Sequence, residues 1–112
     1  PIETLSSVAS LDDLRAAREA TARVTVSEPV RAYATRLATY TREHAELGVS
    51  PRGTIALLRA AQARAVLDGR SYVLPDDVKA EVPAVATHRI RTTTDRTAGA
   101  VVEGALTTVD PE

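Results

Sequence analysis

The sequence predicts an all-α fold: a small bundle of about four helices with a short two-stranded extended pair. Three observations predict it. Alanine, the strongest helix former, is the commonest residue. Aromatics make up only 3% of the chain, with no Phe and no Trp, so the core has to come from Leu, Val, Ile and Ala, which suits close-packed helices. Apolar residues recur at spacings of three and four between capping residues and glycines. At 112 residues, 44% hydrophobic and 26% charged, the chain has the bulk of one globular domain.

The elements follow in order. Residues 1–9 are weakly patterned and read as a linker, leaving 10–112 as the helical domain; opening on Pro1 rather than Met marks the chain as an expected fragment or processed product. Ser10 caps a first helix whose opening turn carries Asp12 and Asp13, acids that favour the positive end of a helix. That helix is expected to run to about Thr21, turning Leu11, Leu14, Ala17 and Ala20 inward. Arg23-Val24-Thr25-Val26 is β-branched and extended. Ser27 caps the second helix, with Pro29 in its first turn, and Val30, Tyr33, Leu37 and Tyr40 form one apolar stripe. His44 falls near the same face, and Gly48 closes the element.

The third helix carries the clearest signals: Ser50 as N-cap, Pro51 at the first helical position and Gly69 as a stop. Leu57, Leu58, Ala61 and Ala65 form its apolar face. Tyr72-Val73-Leu74 is a second extended piece, and Pro75-Asp76-Asp77 opens a fourth helix with Val78, Val82, Val85 and Ala86 inward. Pro83 is expected to break or kink that helix. Thr92 to Thr97 is polar and loop-like; Val102, Ala105 or Leu106, and Val109 predict one last short helix.

Charge and composition exclude several classes. Fourteen basic and fifteen acidic residues give a net charge of −1, without the basic excess that phosphate-backbone binding requires. Arg52, Arg59 and Arg64 on the third helix are the best case for DNA reading, and the near-neutral balance opposes it. No apolar run approaches the ~20 residues of a membrane span, and no signal peptide is visible, so the expected location is cytoplasmic. Cysteine is absent, which removes disulfides and thiol nucleophiles.

Little in the chain suits catalysis. His44 and His88 are the only histidines, and neither sits in a metal-ligand or nucleophile pattern. Asp76 and Asp77 follow Pro75, where stabilising a helix N-terminus accounts for them better than acid–base work. None of the five glycines falls in a phosphate-binding loop, and the single lysine, Lys79, has no flanking glycine. Ser50-Pro51-Arg52 is the exception. It sets a permanently charged, forked donor in the first turn of a helix, where free N–H groups and the dipole already favour anions. Taken alone, the triplet is better explained as a cap, an N1 proline and a solvated arginine, because capping preferences produce it without any function.

The run from Leu47 to Ala63, centred on Ser50-Pro51-Arg52-Gly53, resembles the C-terminal helical lid domain of MoxR-family AAA+ ATPases. The likeness continues through Leu67-Asp68-Gly69-Arg70, Tyr72-Val73-Leu74-Pro75-Asp76-Asp77-Val78-Lys79, Pro83-Ala84-Val85 and Thr87-His88-Arg89-Ile90. Leu11-Asp12-Asp13-Leu14, Val24-Thr25-Val26-Ser27 and Thr41-Arg42 also match, so it covers roughly residues 10 to 91. This resemblance implies that residues 1–9 lead from a missing nucleotide-binding core. It implies that Arg52, supported by Ser50 and Pro51, is the sensor 2 arginine, which contacts the γ-phosphate of ATP held by the core of the same subunit. Arg42 falls in a family-like position before the loop; it is expected either to reach the nucleotide or a neighbouring subunit, or to pair with Glu43 or Glu46.

By the same resemblance, ATP and Mg2+ belong to the parent protein, and the isolated fragment is expected to bind neither and to catalyse nothing. Its implied partners are the core of its own chain, adjacent subunits of a hexameric ring and proteins with von Willebrand factor A domains, in a chaperone-like role. The alternative is a free-standing helical interaction module with no link to nucleotide.

Overall fold

The computed structural model describes residues 10–93 and 96–112; the expected linker, 1–9, lies outside them. Five α-helices follow one another: α1 (Leu11–Arg23), α2 (Glu28–Glu43), α3 (Pro51–Leu67), α4 (Pro75–Ala86) and α5 (Ala98–Thr108), with a 3-10 turn at Thr87–Arg89. The expected extended pair condenses to a single parallel bridge, Thr25 with Tyr72, and there is no strand among the described residues. Thr25 N–H donates to Ser71 O at 2.9 Å and Val73 N–H to Thr25 O at 3.0 Å. Gln62 Nε2, from α3, donates to Val24 O at 2.9 Å and fastens the same connection.

The predicted caps form: Ser10 and Asp13 exchange two hydrogen bonds of 3.0 Å as a capping box, and Ser27 Oγ accepts from Val30 N–H. Thr97, read as loop, also caps a helix, its Oγ1 accepting from Ala100 N–H. α3 stops in a Schellman arrangement: Arg70 N–H donates to Ala65 O and Gly69 N–H to Val66 O. Gly69 takes φ 72°, a conformation that a side chain would strain.

α3 lies at the centre, touching α1, α2 and α4, while α5 closes the far side against α2 and α4. The core comes from Val30, Tyr33, Ala34 and Leu37 of α2, Leu57, Leu58, Ala61 and Ala65 of α3, Val78, Val82 and Ala86 of α4, and Val101, Val102 and Ala105 of α5. The small residues on the facing sides of α3 and α4 let the two helices approach closely. No described helix is long and apolar enough to cross a membrane.

Two expectations are corrected. α1 buries no residue: Leu11 and Leu14 are 64% and 56% exposed. Its main neighbour is α3, so one flank is covered, and among the described residues no second layer closes over the leucines. Pro83 does not break α4, which runs on to Ala86. The proline lies on the exposed side in the last turns, where the missing N–H costs one bond. Thr87 then caps the end, its N–H and its Oγ1 both donating to Pro83 O.

Candidate functional site

The N-terminal turn of α3 is the candidate site. Ser50 is extended and its Oγ accepts from Gly53 N–H at 3.1 Å, while its carbonyl accepts from Thr54 N–H at 2.9 Å. Pro51 has no N–H to offer. The donors left over are the backbone N–H of Arg52 and its guanidinium. Arg52 is exposed and has no hydrogen-bond or ion-pair partner among the described residues. No acid stands in this first turn, whereas α1, α2 and α4 all carry one there. The positive end of α3 is therefore not neutralised by its own sequence.

The loop before the turn is tied down on both sides. Val49 N–H donates to Thr41 Oγ1 at 2.9 Å, and that buried hydroxyl donates to Ala38 O at 2.7 Å. Arg42 Nη1 donates to Val49 O and Nη2 to Thr39 Oγ1. Arg42 makes no ion pair with Glu43 or Glu46, correcting one of the two expectations for it: its guanidinium is turned toward the Val49 carbonyl and the Thr39 hydroxyl instead. Leu47 and Arg91 form an antiparallel bridge with both bonds made, at 3.0 and 2.8 Å.

Sequence reasoning gave no role to Arg89. Its stem lies across Gly53: a Cβ built there would come 3.2 Å from Arg89 Cδ and 2.9 Å from Val49 Cγ1. The guanidinium is held by Val85 O at 2.6 Å and His88 Nε2 at 2.9 Å. The available signal was a glycine two residues after a proline, at a position where any side chain would crowd the neighbouring segment.

The histidines and Asp77, also weighed for chemistry, have structural partners. His44 stacks on Tyr40, ring centroids 3.8 Å apart, and its Nδ1–H donates to Tyr40 O. Asp77 is nearly buried and engaged by Arg70 at both oxygens, and Asp76 stands exposed beside it. Among the described residues no group of His, Asp and Glu could hold a metal ion.

Comparison with known proteins bears on the fold and the family. The AAA lid domain family model matches residues 37–105. Protein YeaC of Bacillus subtilis (strain 168) is 40% identical over 92 residues, covering 80% of this chain and 29% of YeaC. Chaperone MoxR1 of Mycobacterium tuberculosis (strain H37Rv) is 31% identical over 99 residues, covering 79% of this chain and 26% of MoxR1. The chain thus spans less than a third of either relative. The solved structure of a "putative ATPase" from Cytophaga hutchinsonii superposes with a TM-score of 0.70 at 27% identity, over 82% of this chain and 33% of that one. With a family model matching more than half its length and these relatives beside it, the chain belongs to the AAA lid domain family, as the helical lid of a MoxR-type AAA+ protein.

Proposed function

We propose that this lid carries a sensor for the terminal phosphate of ATP, and that Arg52 is the sensing group. One observation carries the reading: Arg52 is an exposed, unpartnered guanidinium on the uncompensated positive end of α3, presented by a capped and anchored turn. A charge-assisted contact of this kind exists with the γ-phosphate and is lost without it. That difference is what shifts a lid between two positions.

The residues here fit one end of the ligand only. An arginine at a helix N-terminus suits a phosphate oxygen, but no described carboxylate cluster suits Mg2+. The AAA+ lid family is the support for reading ATP and Mg2+ as held by an α/β core elsewhere in the parent chain, which brings phosphate and metal to the lid. The parent is read as a ring-forming ATPase whose lids pack against their own core and against neighbouring subunits. A chaperone-like role draws its support from the relative named as a chaperone; proteins with von Willebrand factor A domains are part of the proposal through the family resemblance alone.

The test is Arg52→Ala in the full-length protein. ATP turnover should fall at least tenfold, about 1.4 kcal/mol, and the preference for ATP over ADP should narrow. Unchanged turnover together with an unchanged ATP/ADP preference would rule the sensor out. The interaction-module reading draws on the exposed Leu11 and Leu14 of α1; a phosphate-binding loop encoded upstream in the same reading frame decides against it.

A further inference from the structure

We infer that Arg42 and Thr41 are positioning residues for Arg52: they grip Val49 by both of its backbone groups, so that Arg52 travels with the lid as one rigid piece. The inference rests on the sensor reading of Arg52 and specifies how that sensor is held.

Val49 immediately precedes the Ser50 cap. Its N–H is taken by the Thr41 hydroxyl and its carbonyl by Arg42 Nη1. Both grips come from the last turn of α2, and each is backed up: Thr41 by Ala38 O, Arg42 by Thr39 Oγ1. Gly48 allows this closeness, because a Cβ at that position would overlap the backbone of Thr41 and Arg42. From the opposite side Leu47 is paired to Arg91, and the Arg89 stem lies across Gly53. The three residues before Arg52 thus have little freedom of their own.

The chemistry of the grip matters. A guanidinium on a free loop would lose conformational entropy each time it met phosphate. A turn fixed in advance avoids that loss, and misplacement by about 1 Å is enough to cost a large factor in rate. Arg42 directs Nη1 to the Val49 carbonyl and Nη2 to a hydroxyl within the lid, and it is through Val49 that it acts on the turn carrying Arg52.

Full-length protein carrying Arg42→Ala, Arg42→Lys, Thr41→Val, Thr41→Ser, Arg52→Ala or the Arg42→Ala/Arg52→Ala pair tests this. Hydrogen–deuterium exchange in peptides covering Leu47–Gly53 should quicken about tenfold in Arg42→Ala and Thr41→Val, with exchange in α4 and α5 unaltered. Thr41→Ser should restore slow exchange, and Arg42→Lys should restore it in part, since one ammonium replaces two forked donors. ATP turnover should fall roughly tenfold in Arg42→Ala, with KM little changed, and should fall no further when Arg52 is already Ala. Unchanged exchange in both Arg42→Ala and Thr41→Val overturns the grip alone. A full second loss in the double variant overturns the claim that Arg42 acts through Arg52. Normal turnover in Arg52→Ala overturns the sensor reading and, with it, the purpose assigned to the grip.

Discussion

Arg70 meets Asp77 with both prongs of its guanidinium, Nη1 to Oδ2 and Nη2 to Oδ1, each at 2.7 Å. The same carboxylate accepts Leu74 N–H at 2.7 Å and so closes the first turn of α4, where the N-cap is a leucine with no oxygen to give. One ion pair therefore joins the Schellman end of α3 to the start of α4. The Arg70 contact, helped by Leu74 N–H, outweighs burial and holds the Asp77 carboxyl below its ordinary range.

Removing one partner should be costly. Asp77→Ala leaves the half-buried Arg70 with only the exposed Asp68 as counter-charge and α4 without its cap; the expected loss is about 2 kcal/mol, read from denaturant unfolding. The pair also has a pH signature. Because the folded-state value is depressed, its contribution is complete above the unfolded value, near pH 4, and disappears as pH falls through the folded value. Stability measured between about pH 2 and pH 6 should therefore slope in the native chain, and the slope should shrink in Asp77→Asn.

Tyr33 is completely buried, and its hydroxyl has no hydrogen-bond partner among the described residues. Burial raises its pKa above the usual phenol value, with Asp76 adding to the effect. Tyr33→Phe removes an unsatisfied polar atom while keeping the ring, so the variant should be as stable as the parent or gain up to about 1 kcal/mol. A loss above that size in thermal or chemical unfolding would reveal a partner for the hydroxyl.

Two glycines near the site should respond differently. At Gly48 the obstacle is backbone, so Gly48→Ala should cost about 1–3 kcal/mol. At Gly53 the obstacles are the Val49 and Arg89 side chains rather than backbone, and Ala is the better helix former, so Gly53→Ala should cost less than Gly48→Ala. Melting of the two variants side by side checks the ordering.

Leucines predict the same contrast on a larger scale. Leu37 is 2% exposed among the helices, and Leu37→Ala should cost about 2–5 kcal/mol. Leu14→Ala on α1 should stay within about 0.5 kcal/mol in the isolated chain. A large loss at Leu14 would show that α1 is covered in solution.

Much of this was legible in the residues. Ser27, Ser50 and Gly69 mark helix ends by chemistry that acts within a few residues, and the Val30-Tyr33-Leu37 and Leu57-Leu58-Ala61-Ala65 faces follow from period alone. α1 was misjudged because Leu11 and Leu14 have helical spacing whether or not anything covers them. Pro83 was misjudged because its penalty depends on which carbonyl loses a bond, and that is a matter of position in the final turns. At the candidate site, Ser50 and Arg52 announce themselves locally. The grip of Thr41 and Arg42 on Val49, and the Arg89 stem across Gly53, join segments seven or more residues apart in ways no local pattern encodes.

The shallow seating of α1 has a mechanical consequence. A helix held along one flank, with no side chain sunk into the interior, opens at a small fraction of the global unfolding free energy. Tension entering from the upstream side would strip α1 away first, with α2 to α5 still folded behind it. Trypsin should accordingly nick at Arg15, Arg18 or Arg23 long before it reaches Arg64 or Arg70, leaving a trimmed bundle as a persistent product.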